Sequence, residues 1–187
     1  MIRFLDFIFS LLGIILLFPV FLVLYFAVRL ESKGGGFYKQ LRVGRGGTDF
    51  YVYKFRSMRI GADKQGLITV GGRDPRITQV GYFIRKYKLD ELPQLFNVLK
   101  GDMSIVGNRP LSLFEAEEFT TDQWAERFFA PAGITGLWQV TKRSRAKKMT
   151  VEERKQLDVE YAENYSFWFD LKILLRTIPI LFRSKNR

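Results

Sequence analysis

Between Phe7 and Val28 the chain runs for 22 residues without a charge, dominated by Leu, Phe, Ile and Val. As a straight helix this stretch would extend roughly 33 Å, about the thickness of a bilayer's hydrocarbon core. Arg3 and Asp6 precede it and Arg29 follows. A secretory leader is the competing reading. Asp6, the length of the run and the lack of a small-x-small cleavage site count against it. Pro19 lies inside the run; it removes one helical hydrogen bond and crowds the preceding turn, so a kink or break is expected at Phe18–Pro19. A kinked span would put Arg3 and Arg29 on opposite faces of a membrane, whereas a re-entrant helix would leave both on one face. Single flanking arginines do not choose between the two.

Downstream the pattern is shorter and more broken. Glycines 34–36, 44, 46 and 47, with Phe50-Tyr51-Val52-Tyr53 after them, predict turns around short strands or a hairpin. Residues 60–81 are polar and Gly-rich and predict a long loop. Helices are expected over 78–89, 93–100 and 111–130. Thr150-Val151-Glu152-Glu153 has capping-box spacing and predicts a helix over 150–164. In 166–182, Phe167, Leu171, Leu174, Leu175, Ile178 and Phe182 recur at helical spacing, with Trp168 and Phe169 at the start and Lys172 and Arg176 interspersed. Such a helix suits a membrane interface, and equally the closure of a core.

Composition changes the picture by exclusion. The 187 residues contain no Cys and no His. Disulfides, thiolate nucleophiles, Ser-His-Asp triads and His- or Cys-ligated metals are all removed. Carboxylates, Lys, Arg, hydroxyls and a hard metal held by oxygen remain. Lys and Arg total 30 against 19 acids, a net charge of +11. Because Arg3 and Asp6 cancel, all of that excess lies beyond the apolar run. It points to nucleic acid, an anionic membrane surface or a phosphorylated substrate. There is no Walker A loop, no G-x-G-x-x-G and no Asp-x-Asp.

The most informative stretch is Lys88-Leu89-Asp90-Glu91-Leu92-Pro93-Gln94-Leu95, followed by Gly101-Asp102-Met103-Ser104. Pro93 favours a first helical turn, which places Asp90 and Glu91 at a helix N-terminus, where free amides stabilise anions. One carboxylate could attack as a nucleophile and the other hold Mg²⁺. An Asp-Glu pair before Pro is also an ordinary helix cap, and the residues alone leave both readings open. Cations form three islands. Lys54, Arg56 and Arg59 alternate with apolar residues; Arg109 precedes Pro110; Lys142, Arg143, Arg145, Lys147 and Lys148 crowd into seven residues that would also serve as a solvated basic loop.

Taken in order, Lys54-Phe55-Arg56-Ser57-Met58, Asp74-Pro75-Arg76-Ile77-Thr78, the Leu89–Leu95 stretch, Gly101–Gly107, Arg109-Pro110 and Gly133-Ile134-Thr135-Gly136-Leu137 with Gln139 are specific. The chain resembles the monotopic phosphoglycosyl transferases, the bacterial sugar transferase family, in its minimal single-domain form. The resemblance implies an α+β, mostly helical fold. Residues 1–30 would form a re-entrant membrane helix broken at Phe18–Pro19. Residues 31–187 would form a small cytosolic catalytic domain with short strands and interfacial amphipathic helices, one at about 166–182. It implies transfer of a phospho-sugar from a UDP-sugar to polyprenyl (undecaprenyl) phosphate at the cytoplasmic face of the bacterial inner membrane, a first membrane step of glycan synthesis. Asp90 would be the nucleophile and Glu91, with Asp90, a Mg²⁺ ligand. Lys54, Arg56, Arg109, Pro110, Gln139 and Arg143 would contact phosphate or substrate. Nucleic acid is then not needed to explain the charge.

Departures from the family pattern are visible. Phe18 stands where a Ser commonly precedes the Pro, Asn108 where Pro is usual, Lys142 where Gly is usual, and Lys88 where Ser or Thr is commoner. Asp158 and Asp170 fall where the family has acids, and suit either packing or substrate contact.

Overall fold

The computed structural model describes residues 1–62, 74–117, 122–144 and 149–182. Helix α1 spans Ile2–Glu31. Strands β1 (Phe37–Val43) and β2 (Asp49–Phe55) form an antiparallel hairpin. Helices α2 (Gln79–Lys86) and α3 (Gln94–Lys100) follow, then β3 (Ser104–Val106) and α4 (Leu113–Glu117). Strand β4 (Gly133–Thr135) pairs in parallel with β3. Helices α5 (Leu137–Ser144), α6 (Val151–Glu163) and α7 (Phe167–Phe182) complete the chain. The fold is mostly helical, with one apolar N-terminal helix and two short two-stranded sheets.

Helix α1 is long and apolar enough to cross a membrane, yet it is docked along its whole length. Asp6, Ser10, Phe21, Leu24 and Val28 are buried. Between them, a Cβ on Gly13 would touch Leu95, and Leu17 packs on the Phe21 cluster. Each of these seven positions lies three or four residues from the next, a single stripe on a helix. Both ends are tied to the same body. Arg3 donates to the carbonyls of Val98 and Leu99, and Asp6 accepts from Ser104 Oγ (2.7 Å) and Ile105 N (3.0 Å). At the other end, Glu31 accepts from Gln79 N and Val80 N at the start of α2. The opposite face leaves Leu12, Leu16, Val23 and Leu30 exposed.

The break expected at Phe18–Pro19 is not an interruption of the helix, which continues through both residues. Both are exposed, away from the docked stripe. The bond lost at Pro19 therefore falls on the free face, while the stripe holds both halves in line.

The hairpin, α2, α3 and α6 agree with the sequence. Thr150 and Glu153 make both bonds of the capping box. The helix expected over 111–130 divides into α4 and a 3-10 turn at Asp122–Phe129, with 118–121 outside the described residues. The loop expected over 60–81 is described only at its ends, where Arg76 clasps Asp74 and donates to the Ala62 carbonyl. The basic stretch from Lys142, expected as a loop, begins inside α5; residues 145–148 lie outside the described residues.

Helix α7 closes the core, as one of the two readings expected. Asp170 and Ile173 are buried in a core with Val106, Leu137, Val140 and Tyr161, while Trp168, Leu175 and Ile178 stay exposed. The Tyr161 hydroxyl donates to Asp170 Oδ1 at 2.7 Å. Asp158 is also buried. These acids therefore support packing.

Burial pushes the Asp170 carboxyl up to about 6. Folded Asp170 keeps its proton to that pH, whereas an unfolded carboxyl releases it near 3.9. The stability carried by the protonated form is present below about pH 4 and is lost as pH rises through about 6. Asp170→Asn removes this loss. Its melting temperature relative to the unsubstituted chain should rise between pH 4.5 and pH 7.5, measured by scanning fluorimetry in detergent.

Candidate active site

Strand parity builds the floor of the site. In the hairpin register Tyr38 faces Lys54, Gln40 faces Val52 and Arg42 faces Phe50. Opposed side chains share a face, so Gln40, Arg42, Val52 and Lys54 project together. Lys54 Nζ donates to Gln40 Oε1 at 3.3 Å. An open cavity of about 250 Å³ lies on this face, lined by Arg42, Val52, Lys54, Gln94, Arg109, Pro110 and Gly133.

The acidic pair stands beside it. Lys88 adopts a left-handed conformation (φ 61°), which turns the chain out of α2 into a 3-10 turn at Leu89–Glu91. Pro93 then caps α3. Asp90 and Glu91 thus precede the helix as expected. Asp90 Oδ1 is buried and has no hydrogen-bond partner. Burial, then the Glu91 charge, push the Asp90 carboxyl up to about 6, against the pull of Lys54, Lys88 and Arg85. Glu91 lies 3.5 Å from Arg109 Nη1. Burial pushes Glu91 up, but Arg109, Lys88 and Lys54 outweigh it and hold the carboxyl below its usual range. Burial and Arg109 lower the Lys54 ammonium to about 8, with Glu91 pulling back.

Arg109 is fixed from behind. Its carbonyl accepts from Arg127 Nη2 at 2.9 Å, and Arg127 is paired with Asp158 (2.9 Å). Asn108 Nδ2 donates to the carbonyls of Arg127 and Asp158, and its backbone N–H donates to Pro131 O. A proline at this position would lose that last bond. Gly107 and Gly133 cross so closely that a Cβ on either would overlap the other's backbone. This crossing brings Gly133 and Arg109 to one cavity.

Two adjacent carboxylates beside three converging cations form a site for phosphoryl chemistry. A family model described as bacterial sugar transferase matches residues 1–184. The chain belongs to that family. It is 41% identical over 190 residues to Galactosyl transferase CpsE of Streptococcus agalactiae serotype III (strain NEM316), covering 96% of this chain and 41% of that protein. It is 39% identical over 173 residues to the UDP-glucose:undecaprenyl-phosphate glucose-1-phosphate transferase of Caulobacter vibrioides, covering 90% of this chain and 64% of that one. A third relative, from Bacillus subtilis (strain 168), is named a putative undecaprenyl-phosphate N-acetylgalactosaminyl 1-phosphate transferase. It is 46% identical over 120 residues, 64% of this chain and 67% of that protein. The chain spans less than two thirds of the length of the first two relatives.

In this member of the family the fold brings Lys54, Arg109 and Pro110 to the cavity, with Asp90 and Glu91 beside it. It does not bring Arg56. That guanidinium is buried and donates to the carbonyls of Val28, Ser32 and Lys33 and to Ser32 Oγ, closing the C-terminal end of α1. The alternation of Lys54 and Arg56 suggested a shared face, but Arg56 lies one residue past the end of β2. Gln139 donates to the Ile134 carbonyl at 3.1 Å and does not line the cavity. The side chain of Arg143 lies outside the described residues. Arg42 and Gln94 line the cavity and were not singled out by sequence. The hairpin register would have found Arg42, two residues from Gln40 on the Lys54 face.

Arg56 is therefore expected to act on stability. A lysine has one ammonium nitrogen where the guanidinium uses two, so it cannot keep all four contacts, and each bond to a charged donor contributes about 1.5–3 kcal/mol. Arg56→Lys should cost about 2–4 kcal/mol, read as a drop in denaturation midpoint in detergent. A KM effect at unchanged stability would reverse this assignment.

Proposed function

We propose that the protein transfers a phospho-sugar from a UDP-sugar to polyprenyl phosphate through a covalent aspartyl intermediate. The observation that carries this reading is the buried, partnerless Oδ1 of Asp90 next to a cavity lined by Arg42, Lys54 and Arg109. A carboxylate oxygen without a hydrogen bond has a free lone pair, and the cations would neutralise the phosphoryl oxygens it approaches. The relatives' printed names, which include undecaprenyl-phosphate sugar-1-phosphate transferases, support the same substrates.

In the first step a carboxylate oxygen of Asp90 attacks the β-phosphorus. The bond from that phosphorus to the bridging oxygen breaks, and UMP leaves with the electron pair. The sugar phosphate is now an acyl phosphate on Asp90. In the second step a phosphate oxygen of the lipid attacks the same phosphorus. The acyl-phosphate P–O bond breaks, the carboxylate is regenerated and polyprenyl-diphosphate-sugar is released. Glu91 holds Arg109 in place throughout (3.5 Å). Asp90 and Glu91 fit Mg²⁺ as hard oxygen donors, one with an unpartnered oxygen, because Mg²⁺ takes one or two carboxylates and completes its shell with phosphate and water. When bound, the ion would supply further charge neutralisation at the phosphoryl oxygens.

The same reading places the protein at the cytoplasmic face of a bacterial inner membrane, with α1 inserted from one side. Two observations support this. Both ends of α1 are bonded to one body, so both belong on one face, and the outer face of α1 is apolar. Trp168, Leu175 and Ile178 on α7 suit the interface.

The test is intact mass. After incubation with a panel of UDP-sugars and Mg²⁺, the protein should gain one phospho-sugar, and polyprenyl phosphate should discharge it. Asp90→Asn should form no adduct and lose at least about 10³-fold in turnover. Near-normal turnover by that variant would overturn the mechanism.

A further inference from the structure

Of the three cations that line the cavity, Arg42 is the one whose carboxylate partner is shared with a second guanidinium. Arg42 projects from β1 onto the face that carries Lys54, and lines the cavity with Lys54 and Arg109. We propose that Arg42 is the third cation of the donor's diphosphate site, held ready by Glu115 and released to the diphosphate when it binds. This rests on the phosphoglycosyl transfer reading above.

Charge accounting carries the argument. Arg109 has Glu91 at 3.5 Å. Lys54 has only the neutral amide of Gln40, with no ion pair among the described residues. Arg42 has Glu115 at 3.2 Å, but Glu115 is shared: its other oxygen meets Arg154 at 3.4 Å, and it also accepts from Ser112 N and Oγ. One carboxylate thus serves two guanidiniums. The cations also oppose one another: burial, then Arg109, lower both Arg42 and Lys54. Half-buried cations with divided or neutral partners are costly to keep together, and an anion of two or more charges removes that cost. The diphosphate of a UDP-sugar spreads its two charges over two phosphoryl groups, so its oxygens can meet cations that come from three different segments, β1, β2 and the turn after β3. Arg42 is built for this contact, because a guanidinium presents paired N–H donors to phosphate oxygens.

The experiment uses the full chain in detergent with Mg²⁺ and measures UDP binding by calorimetry, alongside KM for each substrate. Arg42→Gln should weaken UDP binding by about 10–100-fold, and Arg42→Lys by less, since the charge survives and the fork is lost. KM for the UDP-sugar should rise at least about 10-fold while KM for polyprenyl phosphate stays within about twofold. A rise confined to the lipid would assign Arg42 to the acceptor and overturn the proposal. Should the Arg42 variants not fold, Glu115→Gln carries the test: freeing Arg42 should tighten UDP binding by about threefold or more, and unchanged or weaker binding overturns it. If the unsubstituted chain binds UDP and Arg42→Gln binds it equally, this assignment fails and the transferase reading stands. If the unsubstituted chain neither binds UDP nor takes up phospho-sugar, the transferase reading itself fails.

Discussion

Arg127 and Asp158 form an ion pair buried on both sides, and the position of the site depends on it. Removing two charges from water costs several kcal/mol per ion before their attraction returns it, so such a pair does little for net stability. Its value is positional. Arg127 reaches past Asp158 to the Arg109 carbonyl, and Asn108 ties the backbone of both partners to its own side chain. Three chain segments far apart in sequence are therefore fixed at one point: the 3-10 turn at Asp122–Phe129, α6, and the turn after β3. Arg109 leaves that point with its guanidinium aimed at Glu91.

The long apolar helix α1 enters the same arrangement from the other end of β3. Asp6 is a carboxylate on an otherwise apolar helix, and it is satisfied by Ser104 and Ile105, where β3 begins. Two residues after β3 ends comes Asn108, and then Arg109. A strand of three residues thus joins the anchor of α1 to the cation that holds the acidic pair. At its C-terminal end α1 is closed by Arg56, which follows β2 and Lys54. Both cation-bearing segments of the site are tied to α1, so the docked helix and the shape of the cavity rest on the same bonds.

This explains what the sequence disclosed and what it withheld. The hairpin was legible because glycines bracket aromatic strand residues, and α6 because its capping box is local. The docked stripe of α1 was not legible: when every face is apolar, periodicity carries no signal, and Asp6 and Ser10 alone mark the buried side. The β3–β4 pair was missed because each strand is three residues long and the partners lie 29 positions apart. The acidic pair stood out through its ordered motifs, but the placement of Arg56 away from Lys54 was not legible, because alternation presumes a strand that has already ended.

The net charge of +11 invited a broad reading, and the structure divides it. Arg3, Arg56 and Arg76 donate to backbone carbonyls, and Arg127 is buried against Asp158. These arginines hold the chain to itself and offer little to a ligand. What faces the cavity is Arg42, Lys54 and Arg109, gathered by strand parity and by the Gly107–Gly133 crossing. A chain without His or Cys has no imidazole or thiolate to offer, so in the proposed reaction burial of Asp90 and the placing of those cations would tune the nucleophile. The excess of positive charge is therefore a poor guide to partners. The few cations with divided partners, beside a carboxylate oxygen whose lone pairs accept no hydrogen bond, are the better one.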